Sequence, residues 1–131
     1  MENWIMYRGC MIPDDCYEVI NTVVNSDGTI IVLEGEKYHL SINFIYTEVV
    51  MLCDEGRRIK TYLSREELQE YRIDFKGNPI YEVINSEFEG WIKEQSLDLF
   101  HSYKHYVIIT QNDVIDILTR DKPNVNIIKI C

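Results

Sequence analysis

A chain of 131 residues with 46% apolar side chains is long enough for one packed domain and too apolar to stay unfolded. Its formal net charge of -9 at pH 7 argues against nucleic acid and anionic membrane as partners, because both repel a surface of the same sign, and favours a basic protein partner or simply a soluble surface. No apolar run approaches the ~20 residues that a membrane-spanning helix needs.

The nine tyrosines, together with Val and Ile, bias the chain toward strands. Trp4 to Arg8 is expected as a first short strand, and Met11-Ile12-Pro13-Asp14-Asp15 as a turn. Tyr17 to Val24 follows as a second strand. Asn25-Ser26-Asp27-Gly28 is the strongest turn signal in the chain and sets Thr29 to Glu34 as its hairpin partner. Alternation from Lys37 to Tyr46 puts Tyr38, Leu40, Ile42 and Phe44 on one face and His39, Ser41 and Asn43 on the other. Glu48 to Cys53 is a further strand, and Asp54-Glu55-Gly56 is expected to turn it into a hairpin with Arg57 to Leu63.

Two capping boxes then announce helices. Ser64-Arg65-Glu66-Glu67 opens a short one to about Tyr71, and Ser86-Glu87-Phe88-Glu89 opens a longer one after a strand over Ile80 to Ile84. In the second helix Phe88, Trp91, Ile92 and Leu99 fall near one stripe, which is expected to dock on the sheet, while Glu87, Glu94 and Asp98 face solvent. Gly90 inside that helix suggests a close backbone approach. Tyr106 to Thr110, Val114 to Thr119 and Val125 to Ile130 are the last strands. The expectation is a single domain over 1–131 of α+β class, mostly antiparallel β-sheet with one or two helices packed on it.

Catalysis finds no motif. A nucleophile needs a neighbouring base and an orienting group, and the three histidines, His39, His101 and His105, stand in no elbow of the G-x-S-x-G type. The glycines are isolated, so neither a phosphate loop nor a dinucleotide fingerprint is present. His101 and His105 are spaced i, i+4, but further zinc ligands at suitable spacing are missing. His101 is expected near a helix C-terminus and His105 to bond within the sheet. The Asp113-Val114-Ile115-Asp116 spacing puts apolar residues where a calcium loop needs oxygens. Asp54-Glu55 with Arg57-Arg58 suggests a salt-bridge group at a hairpin tip. No catalytic residue, metal or cofactor is therefore assigned.

The acids are unevenly spread: residues 1–63 carry ten acids and five bases, 64–98 nine and four, 99–131 three and four. Glu66, Glu67, Glu70 and Asp74, with Glu87 and Glu94, are the candidate negative face for a basic partner. The four cysteines are expected as free thiols of a reducing cytoplasm, since Met1-Glu2-Asn3-Trp4 lacks a basic n-region.

Through Glu55-Gly56-Arg57, Val83-Ile84-Asn85-Ser86, His105-Tyr106-Val107-Ile108 and Asn112-Asp113-Val114-Ile115-Asp116 with Pro123, the last two-thirds of the chain resembles small bacterial cytoplasmic proteins. Some proteins of that type are immunity proteins of contact-dependent or other polymorphic toxin systems. The resemblance implies a non-enzymatic binder that covers the active site of a toxin, many such toxins being basic nucleases. Two other classes stay open: a small hydrolase whose carboxylates and one histidine converge only in the fold, and a structural, oligomer-forming subunit. A polar pocket beside a perturbed His or carboxylate would favour the hydrolase, and a flat acidic face the binder.

Overall fold

In the computed structural model, residues 2–58, 61, 68, 76–97, 99 and 102–130 are described. They form nine strands in chain order: β1 Asn3–Met6, β2 Glu18–Asn25, β3 Gly28–Glu34, β4 Tyr38–Ile45, β5 Thr47–Asp54, β6 Ile80–Ile84, β7 Lys104–Ile109, β8 Asp113–Thr119 and β9 Asn124–Lys129. An α-helix, α1, spans Glu87–Gln95. The class is α+β, with two antiparallel sheets ordered β1-β6-β7-β8-β5 and β2-β3-β4-β9.

The hairpin of β2 and β3 forms where the turn signal places it. Gly28 closes it at φ 139, a conformation in which an added Cβ would meet the Phe44 carbonyl oxygen. Along β4 the alternation also holds: Leu40, Ile42 and Phe44 are fully buried, while His39, Ser41 and Asn43 lie half-buried on the other face. These inward residues join Ile31 and Leu33 of β3 and Ile80, Tyr106, Ile108, Ile115 and Ile117 of the five-stranded sheet in one core. The Phe44 and Tyr106 rings, 5.7 Å apart, tie the two sheets together. Each such side chain contributes roughly 1.5–3 kcal/mol by leaving water.

β7 and β8 lie in the middle of their sheet and are buried on both faces, which explains why they read as nearly unbroken apolar runs. Val107, Ile109 and Val114 point away from the first core and join Trp4, Leu68, Tyr81 and Val83 in a second cluster on the opposite face of the sheet. Two polar residues interrupt those runs on that same face, His105 and Asp116, both nearly inaccessible.

Three expectations are corrected. The hairpin at Asp54-Glu55-Gly56 does not form: β5 pairs with β8, and the chain leaves β5 through a single 3-10 turn, Glu55–Arg57. Asp54 Oδ1 accepts from Gly56 N at 2.6 Å, which curls the backbone out of the strand. Arg57 and Thr61 are therefore not parts of a strand over 57–63, and Arg58 pairs not at a tip but with Asp116. Next, the apolar stripe of α1 is docked only in part: no residue of the helix is fully buried, Phe88 and Ile92 are half-covered, and Trp91 and Leu99 are 54% and 79% exposed. Finally, Gly90 approaches nothing, since a Cβ there would meet open space. The helix expected from Ser64 to Tyr71 lies outside the described residues, as do His101 and Cys131. Cys10, Cys16 and Cys53 are free thiols.

Candidate functional site: the Ser86–His105–Asp116 cluster and the helix it anchors

β6 hands over to α1 through Asn85, held at φ 54, a left-handed conformation that Asn tolerates better than most residues. Ser86 then takes the N-cap position with extended backbone, and its Oγ accepts from Glu89 N at 2.9 Å. The same oxygen lies 2.7 Å from His105 Nδ1. On the far side of the ring, His105 Nε2 is 2.8 Å from Asp116 Oδ1. Arg58 Nη1 donates to the other carboxylate oxygen, Asp116 Oδ2, and Arg58 Nε donates to Thr61 Oγ1 at 3.1 Å.

The chain of donors has one consistent direction when the imidazole is neutral. An ionised Asp116 only accepts, so Nε2 carries the ring proton, Nδ1 becomes the acceptor, and the Ser86 hydroxyl donates to it. Burial pushes the Asp116 carboxyl upward in pKa, but hydrogen bonds from His105 and Arg58 and the Arg58 charge outweigh it and hold the group below the usual carboxylate value. The cluster is thus anionic at Asp116, compensated by Arg58, and polarised toward Ser86.

The ring face of His105 packs on Phe88 of α1, centroids 5.4 Å apart. Glu2 reaches the same end of the helix, where its Oε1 accepts from Glu87 N at 3.0 Å. A cleft of about 380 Å³ opens beside the cluster, lined by Glu82, Ser86, Glu89, Tyr103, Lys104 and His105 among others. Glu89 Oε2 is buried there with no hydrogen-bond partner among the described residues.

No family model, curated protein or solved structure matches the chain.

Of the six acids expected to meet a partner, Glu66, Glu67, Glu70 and Asp74 lie outside the described residues. Glu87 and Glu94 are exposed on α1. They stand four positions before and three positions after Trp91, so all three side chains share one face of the helix. Sequence reasoning assigned that tryptophan to the core. The Ser86–His105–Asp116 cluster was missed altogether, although His105 was expected to bond within the sheet and does. Its signal was available in retrospect: a lone His and a lone Asp inside apolar strand runs must be buried, and buried polar groups require partners.

Among the described residues, no group of three or more His, Cys, Asp or Glu is placed to hold a metal ion, and no helix is long and apolar enough to cross a membrane.

Proposed function

We propose that the chain is a stoichiometric protein-binding module, most concretely an immunity protein that neutralises a cognate toxin in the bacterial cytoplasm. The observation that carries this reading is Trp91: a tryptophan 54% exposed on a helix, flanked on its own face by the exposed carboxylates Glu87 and Glu94. Exposed aromatic anchors tend to dominate interface energies, and carboxylates around one select a basic partner and speed its approach. Leu97 and Leu99, 80% and 79% exposed, extend the apolar surface past the C-terminal end of α1. The partner class is a basic protein surface, for which the net charge of -9 supplies long-range attraction.

The cluster behind the helix fits this role. α1 buries no side chain fully, so its position depends on a few pins at its first turn: Ser86 on His105, Phe88 on the same ring, and Glu2 on Glu87 N.

The test expresses each reading frame adjoining this chain's own gene, alone and together with the chain. The proposal expects one adjoining product to arrest growth, the chain to relieve the arrest, and the two to co-elute at one-to-one stoichiometry. Trp91→Ala or the Glu87→Lys, Glu94→Lys pair should weaken that complex at least tenfold while the fold survives. Absence of any toxic neighbour would remove this function, and relief by a Trp91→Ala chain that binds as tightly as the parent would remove the Trp91 face from the contact.

A further inference from the structure

We propose that Ser86 is an activated nucleophile, with His105 as its general base, able to cleave a small acyl ester bound in the adjoining cleft. The inference is independent of partner binding and rests on four placements. Ser86 sits at a strand-to-helix junction, half-buried, on the wall of the 380 Å³ cleft. Its Oγ is 2.7 Å from His105 Nδ1, within the range in which a base takes a hydroxyl proton. His105 is oriented through its other nitrogen by Asp116 at 2.8 Å, and Asp116 by Arg58. These are the nucleophile, base and orienting group that acyl transfer requires, recognised by geometry rather than by motif.

The fourth placement concerns the negative charge that develops on the substrate. Ser86 caps α1, whose first N–H groups and dipole favour an anionic oxygen. The Glu2 carboxylate, 3.0 Å from Glu87 N, shows that this end of the helix accepts one. A tetrahedral oxyanion at the same N–H would exchange with the Glu2 side chain.

The step balances without a cofactor. Ser86 Oγ attacks the ester carbonyl as its proton passes to His105 Nδ1. The carbon–oxygen bond to the leaving alcohol breaks, and that alcohol departs with the proton from His105. Water then attacks the acyl-serine, gives a proton to His105 and releases the carboxylic acid as Ser86 recovers its hydrogen. Asp116 and Arg58 are positioning residues that hold the imidazole tautomer. Glu82 and Glu89 on the cleft wall favour neutral or cationic esters over anionic ones.

The experiment treats the folded chain with an alkyl fluorophosphonate and maps the adduct by intact and peptide mass. A single adduct is expected on Ser86, forming at least a hundredfold faster than on the same chain in urea. Its rate should rise with pH through one ionisation, and that dependence should vanish in His105→Gln while Ser86→Ala takes no label. p-Nitrophenyl acetate turnover should follow the same pattern. An unlabelled Ser86, an adduct elsewhere, a rate equal in folded and unfolded chain, or a wild-type pH profile without that ionisation would each overturn the proposal. None of these outcomes depends on the His105 variant folding or on a protein partner.

Discussion

His105 Nε2 and Asp116 Oδ1 meet at 2.8 Å on the face of the five-stranded sheet turned away from the inter-sheet core, with both side chains 3% exposed or less. Val107 lies directly opposite Asp116 and Leu118 opposite His105, so the two polar groups are diagonal neighbours across β7 and β8. Diagonal spacing lets an imidazole span to the carboxylate while Arg58 covers the other oxygen. Asp116→Ala leaves the Arg58 guanidinium and the His105 ring N–H facing a void, and breaking a buried, hydrogen-bonded charge set of this kind costs about 3 kcal/mol or more. Urea unfolding of Asp116→Ala against the parent at pH 7 should show that loss as a fall in midpoint.

Asp15 is a second buried carboxylate, and its role is purely architectural. Its Oδ1 accepts from Cys16 N and Glu36 N, its Oδ2 from Lys37 N and Tyr38 N, at 2.8–3.1 Å, so one side chain clamps the turn between β3 and β4. Burial raises its pKa, but the four backbone donors more than reverse this and hold the group below the ordinary 3.8. A folded value below the unfolded one stabilises the protein above about pH 4, and that stability is lost as pH falls through the folded value. Asp15→Asn keeps at most one oxygen acceptor and turns its amide toward N–H groups, a cost of about 2–4 kcal/mol at pH 7. Its stability should also vary less steeply with acid between pH 4 and 2 than that of the parent, as followed by circular dichroism.

What the sequence revealed and what it hid divide along one physical line. Period-two patterning in β4, the Asn25 to Gly28 turn and the Ser86 cap are local signals, and each element formed within a residue or two of its expected place. Pairing partners are not local. Asp54-Glu55-Gly56 looks like a hairpin turn until β8, some sixty residues on, takes the edge of β5 that the hairpin would have used. Ser86, His105 and Asp116 converge for the same reason: only the β6-β7-β8 order brings them together. The stripe of α1 misled in the opposite sense, because helical spacing shows that apolar residues share a face but not that anything covers it. Trp91 and Leu99 remain in water.

That exposed helix offers a test of its own backbone. Gly90 lies in the middle of α1 with ordinary helical geometry, exposed, and an added Cβ would meet nothing within 4 Å. No contact requires glycine here, so its conformational freedom only favours the unfolded chain. Gly90→Ala should stabilise the protein by about 0.5–1 kcal/mol. Thermal melts should show a higher midpoint. A lower midpoint would show that the first turn of α1 is packed more closely than its exposure indicates.

Asp54 and Asp113 face one another directly across β5 and β8, a like-charged pair in register. Burial, then the Asp54 charge, raises the Asp113 carboxyl above its ordinary value. A folded value above the unfolded one means that ionisation of Asp113 works against the fold at neutral pH, and that this penalty disappears once pH falls below the unfolded value near 4. Asp54→Asn removes the repulsion and keeps an amide oxygen to accept from Gly56 N, so the 3-10 turn that follows β5 is retained. The variant should gain roughly 0.5 kcal/mol at pH 7. Repeating the urea titration at pH 3 decides the cause: a gain that shrinks toward zero there is electrostatic, and a gain that persists would place it in the turn instead.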